Sequence, residues 1–141
     1  MILNRQKRVR VALPSLEKFA RRVRRELRLN GREVAICLVS DAEMARLNKM
    51  YRGKPGATDV LSFPAKAEAA SRRAWAQSLG DIAIAPAVAR RNARRFGRTL
   101  PDELRILILH GVLHLMGYDH ETDSGQMERR ERLLRRRLGL E

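Results

Sequence analysis

Apolar and polar positions along this chain change period several times, and each change marks an expected element. Residues 7–12 (Lys-Arg-Val-Arg-Val-Ala) alternate polar and apolar, the period of a half-buried strand. Beyond Pro14, with Ser15 as the expected cap, Leu16, Phe19, Ala20, Val23 and Leu27 recur at helical spacing. The opposite face of that helix carries Lys18, Arg21, Arg22, Arg24, Arg25 and Arg28, and Asn30-Gly31 is expected to close it. Glu33 to Val39 is more continuously apolar, which predicts a central strand. Ser40-Asp41-Ala42-Glu43 reads as a capping box opening a second helix, with Met44, Leu47 and Met50 or Tyr51 facing inward. Tyr51 to Asp59 reads as a loop by its Gly and Pro content, and Val60 to Phe63 as a short strand stopped by Pro64.

Residues 65–78 are Ala-rich and polar without a period, which predicts a mobile surface loop carrying Trp75. Gly80 to Ala85 is a fourth strand, and Pro86 suits the first turn of a helix running to Phe96 before Gly97. The next helix starts at Thr99 or Leu100, with Asp102 and Glu103 in the first turn, where the helix dipole favours acids. It continues to Met116 and is apolar nearly all round, the mark of a helix inside the core. Ser124 is expected to cap a last helix bearing Met127, Leu133, Leu134 and Leu138 among six arginines. No repeat or linker divides the chain, so residues 1–141 are expected to form one layered domain of α+β or α/β class with about five helices.

Charge narrows the choice of partners. With 30 Lys+Arg against 16 Asp+Glu the net charge is +14, which favours polyanions: nucleic acid first, an acidic membrane surface second. Only five of the bases are lysines; codon preference explains arginine over lysine, but not the excess of base over acid. Cys37 is the single cysteine, so no intrachain disulfide can form, and its apolar setting predicts a buried strand residue. No apolar run approaches the roughly 20 residues of a membrane span, and no apolar stretch follows the basic N-terminus as in a secretory signal. The expectation is a soluble, cytoplasmic protein without membrane partners.

The chemistry concentrates in one stretch. All 3 histidines fall between His110 and His120. His110 and His114, four apart, project from one face of the core helix. His120 follows Gly117, a residue able to take positive φ and turn the chain back. A lone core histidine is ordinarily structural, but three at this spacing can close on zinc and leave a fourth position open, as catalytic zinc requires. The spacing His-x3-His-x5-His is that of the extended zinc-protease signature, down to the glycine before the third histidine. Position 111, however, is glycine where those proteases carry a glutamate base, and a peptidase is therefore disfavoured.

His-Gly-x-Leu-His-Leu-x-Gly-Tyr-Asp-His resembles the signature of the bacterial YbeY family, rRNA maturation factors described as single-strand-specific endoribonucleases. Tyr51-Arg52-Gly53-Lys54, Thr58-Asp59-Val60-Leu61-Ser62-Phe63-Pro64 and Leu79-Gly80-Asp81-Ile82 agree with it. The resemblance implies an α+β fold with a four-stranded mixed sheet, similar to the core of zinc proteases. It implies one zinc ion at His110, His114 and His120, with His110, His114 and Arg52 in the catalytic set and no small-molecule cofactor. It also implies action on single-stranded regions of rRNA, with the small ribosomal subunit or its proteins as partners, in maturation and quality control. Arg52, in a Gly-Lys-Pro-Gly loop, can offer a phosphate two donors, with Lys54 adding charge; the competing reading is a plain surface arginine. Asp119 is read as orienting a histidine or capping a turn, Tyr118 as packing with an oxyanion donor as the second reading, and Asp59 is not placed. Two other classes stay open: a non-catalytic ribosome-assembly factor with structural zinc, and, behind it, a metalloprotease.

Overall fold

Strands β1 (Ile2–Asn4), β2 (Glu33–Leu38), β3 (Val60–Pro64) and β4 (Ser78–Ile84) form one mixed sheet in the order β1-β2-β4-β3. In this computed structural model, which describes residues 1–29, 31–65, 78–119 and 122–140, β1–β2 and β2–β4 pair parallel and β3–β4 antiparallel. The described helices are α1 (Leu13–Glu26), α2 (Asp41–Arg52), α3 (Pro86–Phe96), α4 (Leu100–Leu115) and α5 (Gln126–Arg137). The fold is α+β, as the family resemblance implies.

Side chains alternate across the sheet and feed two clusters. Val34, Ile36, Leu38, Ile82 and Ile84 pack with Leu16, Phe19 and Val23 of α1, Leu104 and Ile108 of α4, and Met127 and Leu134 of α5. Val39, Leu61, Ala83 and Ala85 form the smaller cluster with Met44 of α2 and Val88 of α3. Cys37 joins that second cluster half-buried rather than buried, and burial pushes its thiol pKa up against the pull of Arg5. Among the described residues no helix is long and apolar enough to cross a membrane.

Several sequence expectations shift. The first strand is Ile2–Asn4, not residues 7–12. Ile2 pairs with Ile36, whereas Val9 is buried in a turn closed by Gln6, whose amide accepts from Val9 N and donates to Val9 O, both at 2.9 Å. The alternation at 7–12 thus reflects a turn residue buried by a side-chain bridge. Helix α1 starts at Leu13 after Ala12, and Pro14 sits in its first turn, where a missing N–H costs nothing. It ends at Glu26, before Asn30, which lies outside the described residues.

Helix α2 keeps its Ser40 cap, with Oγ accepting from Glu43 N at 3.1 Å, but Met50 and Tyr51 face outward. The buried position one turn after Met44 is Asn48, whose Nδ2 donates to Gly56 O at 2.9 Å and holds the following loop. At α5 the N-cap position is Gly125 rather than Ser124, and Asp123 reaches the first turn from before it: its Oδ2 accepts from Met127 N and its Oδ1 from Gly125 N, both at 2.9 Å. Leu133 is exposed, while Met127, Leu134 and Leu138 are buried. The expected mobile loop falls mostly on residues 66–77, Trp75 included, which lie outside the described residues. At its ends, Ala65 N donates to Leu79 O at 3.2 Å and Ser78 opens β4, so the β3–β4 pairing reaches further than expected.

Candidate metal centre and nucleic-acid interface

Helix α4 is fixed at both ends and in the middle. Thr99 Oγ1 accepts from Asp102 N at 3.2 Å, and the buried Glu103 carboxylate meets Arg98 at 3.0 Å. Gly111 lies so close to Ile82 of β4 that an added Cβ would come within 2.8 Å of it. On the same residue, the carbonyl accepts from Ser62 Oγ of β3 at 3.2 Å. At the C-terminus Gly117 takes φ +99°, and Tyr118 N donates back to Leu113 O at 3.1 Å, the helix stop expected of that glycine.

On this fixed helix the Nε2 atoms of His110 and His114 converge to 3.2 Å, with ring centroids 4.7 Å apart. Two nitrogens bound tetrahedrally at the usual Zn–N length stand about 3.3 Å apart, so the pair has the bite of two zinc ligands. Both rings are half-buried, reachable from solvent yet packed.

His110 is held from behind. Its Nδ1 lies 2.7 Å from Glu131 Oε1, and Arg135 Nη2 donates to Glu131 Oε2 at 2.8 Å. Burial pushes the Glu131 carboxyl up, but the hydrogen bond and charge of His110, with Arg135, outweigh it and hold its pKa below the usual value. A carboxylate can only accept, so Nδ1 carries the hydrogen, and in the neutral ring the lone pair sits on Nε2, facing His114. The donor chemistry therefore fits zinc. Among the described residues no third His, Cys, Asp or Glu completes a set with this pair; His120 lies outside them.

Glu131 was missed in the sequence, although a signal was there. It shares the Met127, Leu134, Leu138 stripe, and an acid on the apolar face of a helix needs a partner inside. Asp119, read as orienting a histidine or capping a turn, is exposed, and its carbonyl accepts from Thr122 N and Asp123 N, which closes a turn. Glu131 fills the orienting place for His110. Tyr118 packs against the larger cluster, in line with its packing reading. Asp59 joins β3 to α3: Oδ2 accepts from Asn92 Nδ2 at 3.2 Å and its carbonyl from Ala85 N at 3.0 Å.

Arg52 is not in a loop but is the last residue of α2, ended by Gly53 at φ +66°. Its neighbour Tyr51 sets its ring edge-on to Phe63 of β3, centroids 5.0 Å apart. Strand β3 thus meets both helices, through Phe63 with Tyr51 of α2 and through Ser62 with Gly111 of α4. Lys54 is exposed in the loop beyond.

The basic face of α1 borders a groove of ≈ 450 Å³ lined by Lys18, Arg21, Arg24, Arg25, Leu29 and Gly31. Arg22 Nη2 donates to Arg137 O at 3.2 Å and Arg137 pairs with Glu26 at 3.1 Å, so α1 and the end of α5 form one arginine-rich surface.

Together these features define an α+β protein whose apolar core helix presents two convergent imidazoles at the edge of a mixed sheet. The family model of Endoribonuclease YbeY matches residues 1–139, and the chain belongs to that family. It is 46% identical over 127 residues to Endoribonuclease YbeY of Solibacter usitatus, covering 90% of this chain and 80% of that one. With Endoribonuclease YbeY of Koribacter versatilis it shares 44% over 140 residues, 99% of this chain and 86% of the relative. Among solved structures, the solution structure of TM1509 from Thermotoga maritima superposes with a TM-score of 0.65 at 29% identity, covering 98% of this chain and 89% of that one.

Proposed function

We propose that this protein is a zinc-dependent endoribonuclease that cuts single-stranded regions of rRNA, acting in the cytoplasm in small-subunit maturation and ribosome quality control. The observation that carries the reading is the convergence of His110 and His114 at 3.2 Å on a rigid helix, in a chain of a family named for endoribonuclease activity. His110 and His114 hold the metal, with His120 as third donor. Zinc bound there supplies Lewis acidity toward a phosphodiester oxygen or a water. Arg52 directs its planar fork of donors at the scissile phosphate, with Lys54 adding charge. The arginine faces of α1 and α5 hold the remaining backbone, as the net charge of +14 favours.

The test is single-turnover cleavage of a single-stranded RNA by wild type and His114→Ala, with metal content measured on untagged protein. The expected result is one zinc per wild-type chain and loss of both zinc and cleavage in the variant. Zinc-loaded protein that cleaves no RNA yet restores small-subunit assembly would replace this reading with that of a non-catalytic assembly factor.

A further inference from the structure

Arg135, Glu131 and His110 form a continuous chain of contacts, 2.8 Å and 2.7 Å long, linking α5 to α4. Each end of the Glu131 carboxylate is taken by a different partner, so the group has little freedom to turn. Side-chain exposure is 15% for Glu131 and 21% for Arg135, low for charged residues and in keeping with a fixed internal bridge. Both residues sit one turn apart on α5, whose Met127 and Leu134 are buried to 1% and anchor that face in the larger core. The helix is thus positioned by apolar packing, and the carboxylate is delivered to the ring from a rigid base.

We propose that Glu131 is the positioning residue of the metal centre, and that Arg135 is the clamp that aims it. Two consequences follow for His110. Its Nδ1–H is committed to Glu131, which fixes the ring plane and leaves the Nε2 lone pair, on the side of His114, free to bind a metal. The carboxylate also raises the electron density of the ring, making Nε2 a better metal donor. Arg135 takes Oε2, so that Oε1 alone faces the imidazole. This inference rests on the zinc reading of the histidine pair, and it assigns a function to α5 beyond covering the core.

The experiment has two arms on the purified protein. In the first, zinc affinity is measured by competition with a chromophoric chelator for wild type, Glu131→Gln, Glu131→Ala and Arg135→Gln, alongside thermal unfolding of each metal-free protein. Loss of such an outer partner lowers metal affinity by about 10- to 100-fold; that is the drop expected for Glu131→Gln, with at least as much for Glu131→Ala and less for Arg135→Gln. In the second, nitrogen NMR of the metal-free protein reads the tautomer of His110: Nδ1–H in wild type, with that preference lost in Glu131→Gln. This arm needs only a folded chain. Zinc affinity in Glu131→Gln within twofold of wild type, or an Nε2–H tautomer in wild type, would overturn the positioning role while leaving the metal site standing. A wild type that binds no zinc while His110 still shows the Nδ1–H tautomer would instead overturn the metal reading, and with it Glu131's role there.

Discussion

Gly111 rests directly on Ile82: a Cβ built there would stand 2.8 Å from Cδ1, 3.0 Å from Cγ2 and 3.2 Å from Cγ1 of that side chain. Ile82 is 1% exposed and branched at Cβ, so it cannot swing aside without vacating the core. The position that zinc proteases fill with a glutamate is here the contact point between helix and sheet. What the sequence presents as a missing base is, in the fold, a site with no room for one.

Gly111→Ala should therefore destabilise the protein despite the better helix former. Overpacking costs about 1–3 kcal/mol, against roughly 0.5–1 kcal/mol gained by replacing a helical glycine. The check is urea unfolding, with a lower midpoint at unchanged slope. Gly111→Glu should be more damaging still and should gain no peptidase activity; a stable Gly111→Glu protein would contradict the packing account.

Arg52→Ala should lower cleavage without touching zinc content or fold, because Arg52 is exposed at the last turn of α2. A charge-assisted hydrogen bond contributes about 1.5–3 kcal/mol, so kcat/KM should fall by roughly 10- to 100-fold. Arg52→Lys should recover only part, since an ammonium cannot offer the planar fork. Full cleavage by zinc-loaded Arg52→Ala would remove the residue from the catalytic set.

RNA affinity should fall steeply with salt. Each phosphate contact to a single strand contributes a slope of about −0.7 in log affinity against log salt. Replacing Lys18, Arg21 and Arg25, three cations lining the α1 groove, by glutamine should flatten that slope by about 2 units. An unchanged slope would mean that this face is merely solvated and the RNA path lies elsewhere.

How far the sequence carried depended on whether an element's signal was local. Helix α3 was legible to the residue, because Pro86 and Gly97 mark its two ends. Helix α4 was legible because an apolar surface all round leaves no choice but the core, and the histidine spacing follows from helical geometry. The edges were harder. A three-residue strand such as β1 has no period to detect, and the alternation at 7–12 imitated one because Gln6 closes a turn over a buried Val9. Ser124 is a good cap by type, but the helix opens at Gly125, and the chain entering α5 aims the Asp123 carboxylate at its first turn instead. Glu131 lies 21 positions from His110, and a contact across that distance comes from packing α5 on α4 rather than from any local spacing.

That packing has a consequence for the order in which the protein becomes competent. Helix α5 is also fastened to α1, with Arg137 paired to Glu26 across 111 positions and Arg22 reaching the Arg137 carbonyl across 115. A nascent chain that has emerged through α4 holds both histidines but has neither Glu131 nor the helix that seats it. His110 gains its backing only once α5 has packed on α4. Synthesis thus makes the histidine pair before its support, and any loosening of α5 from α4 would release His110.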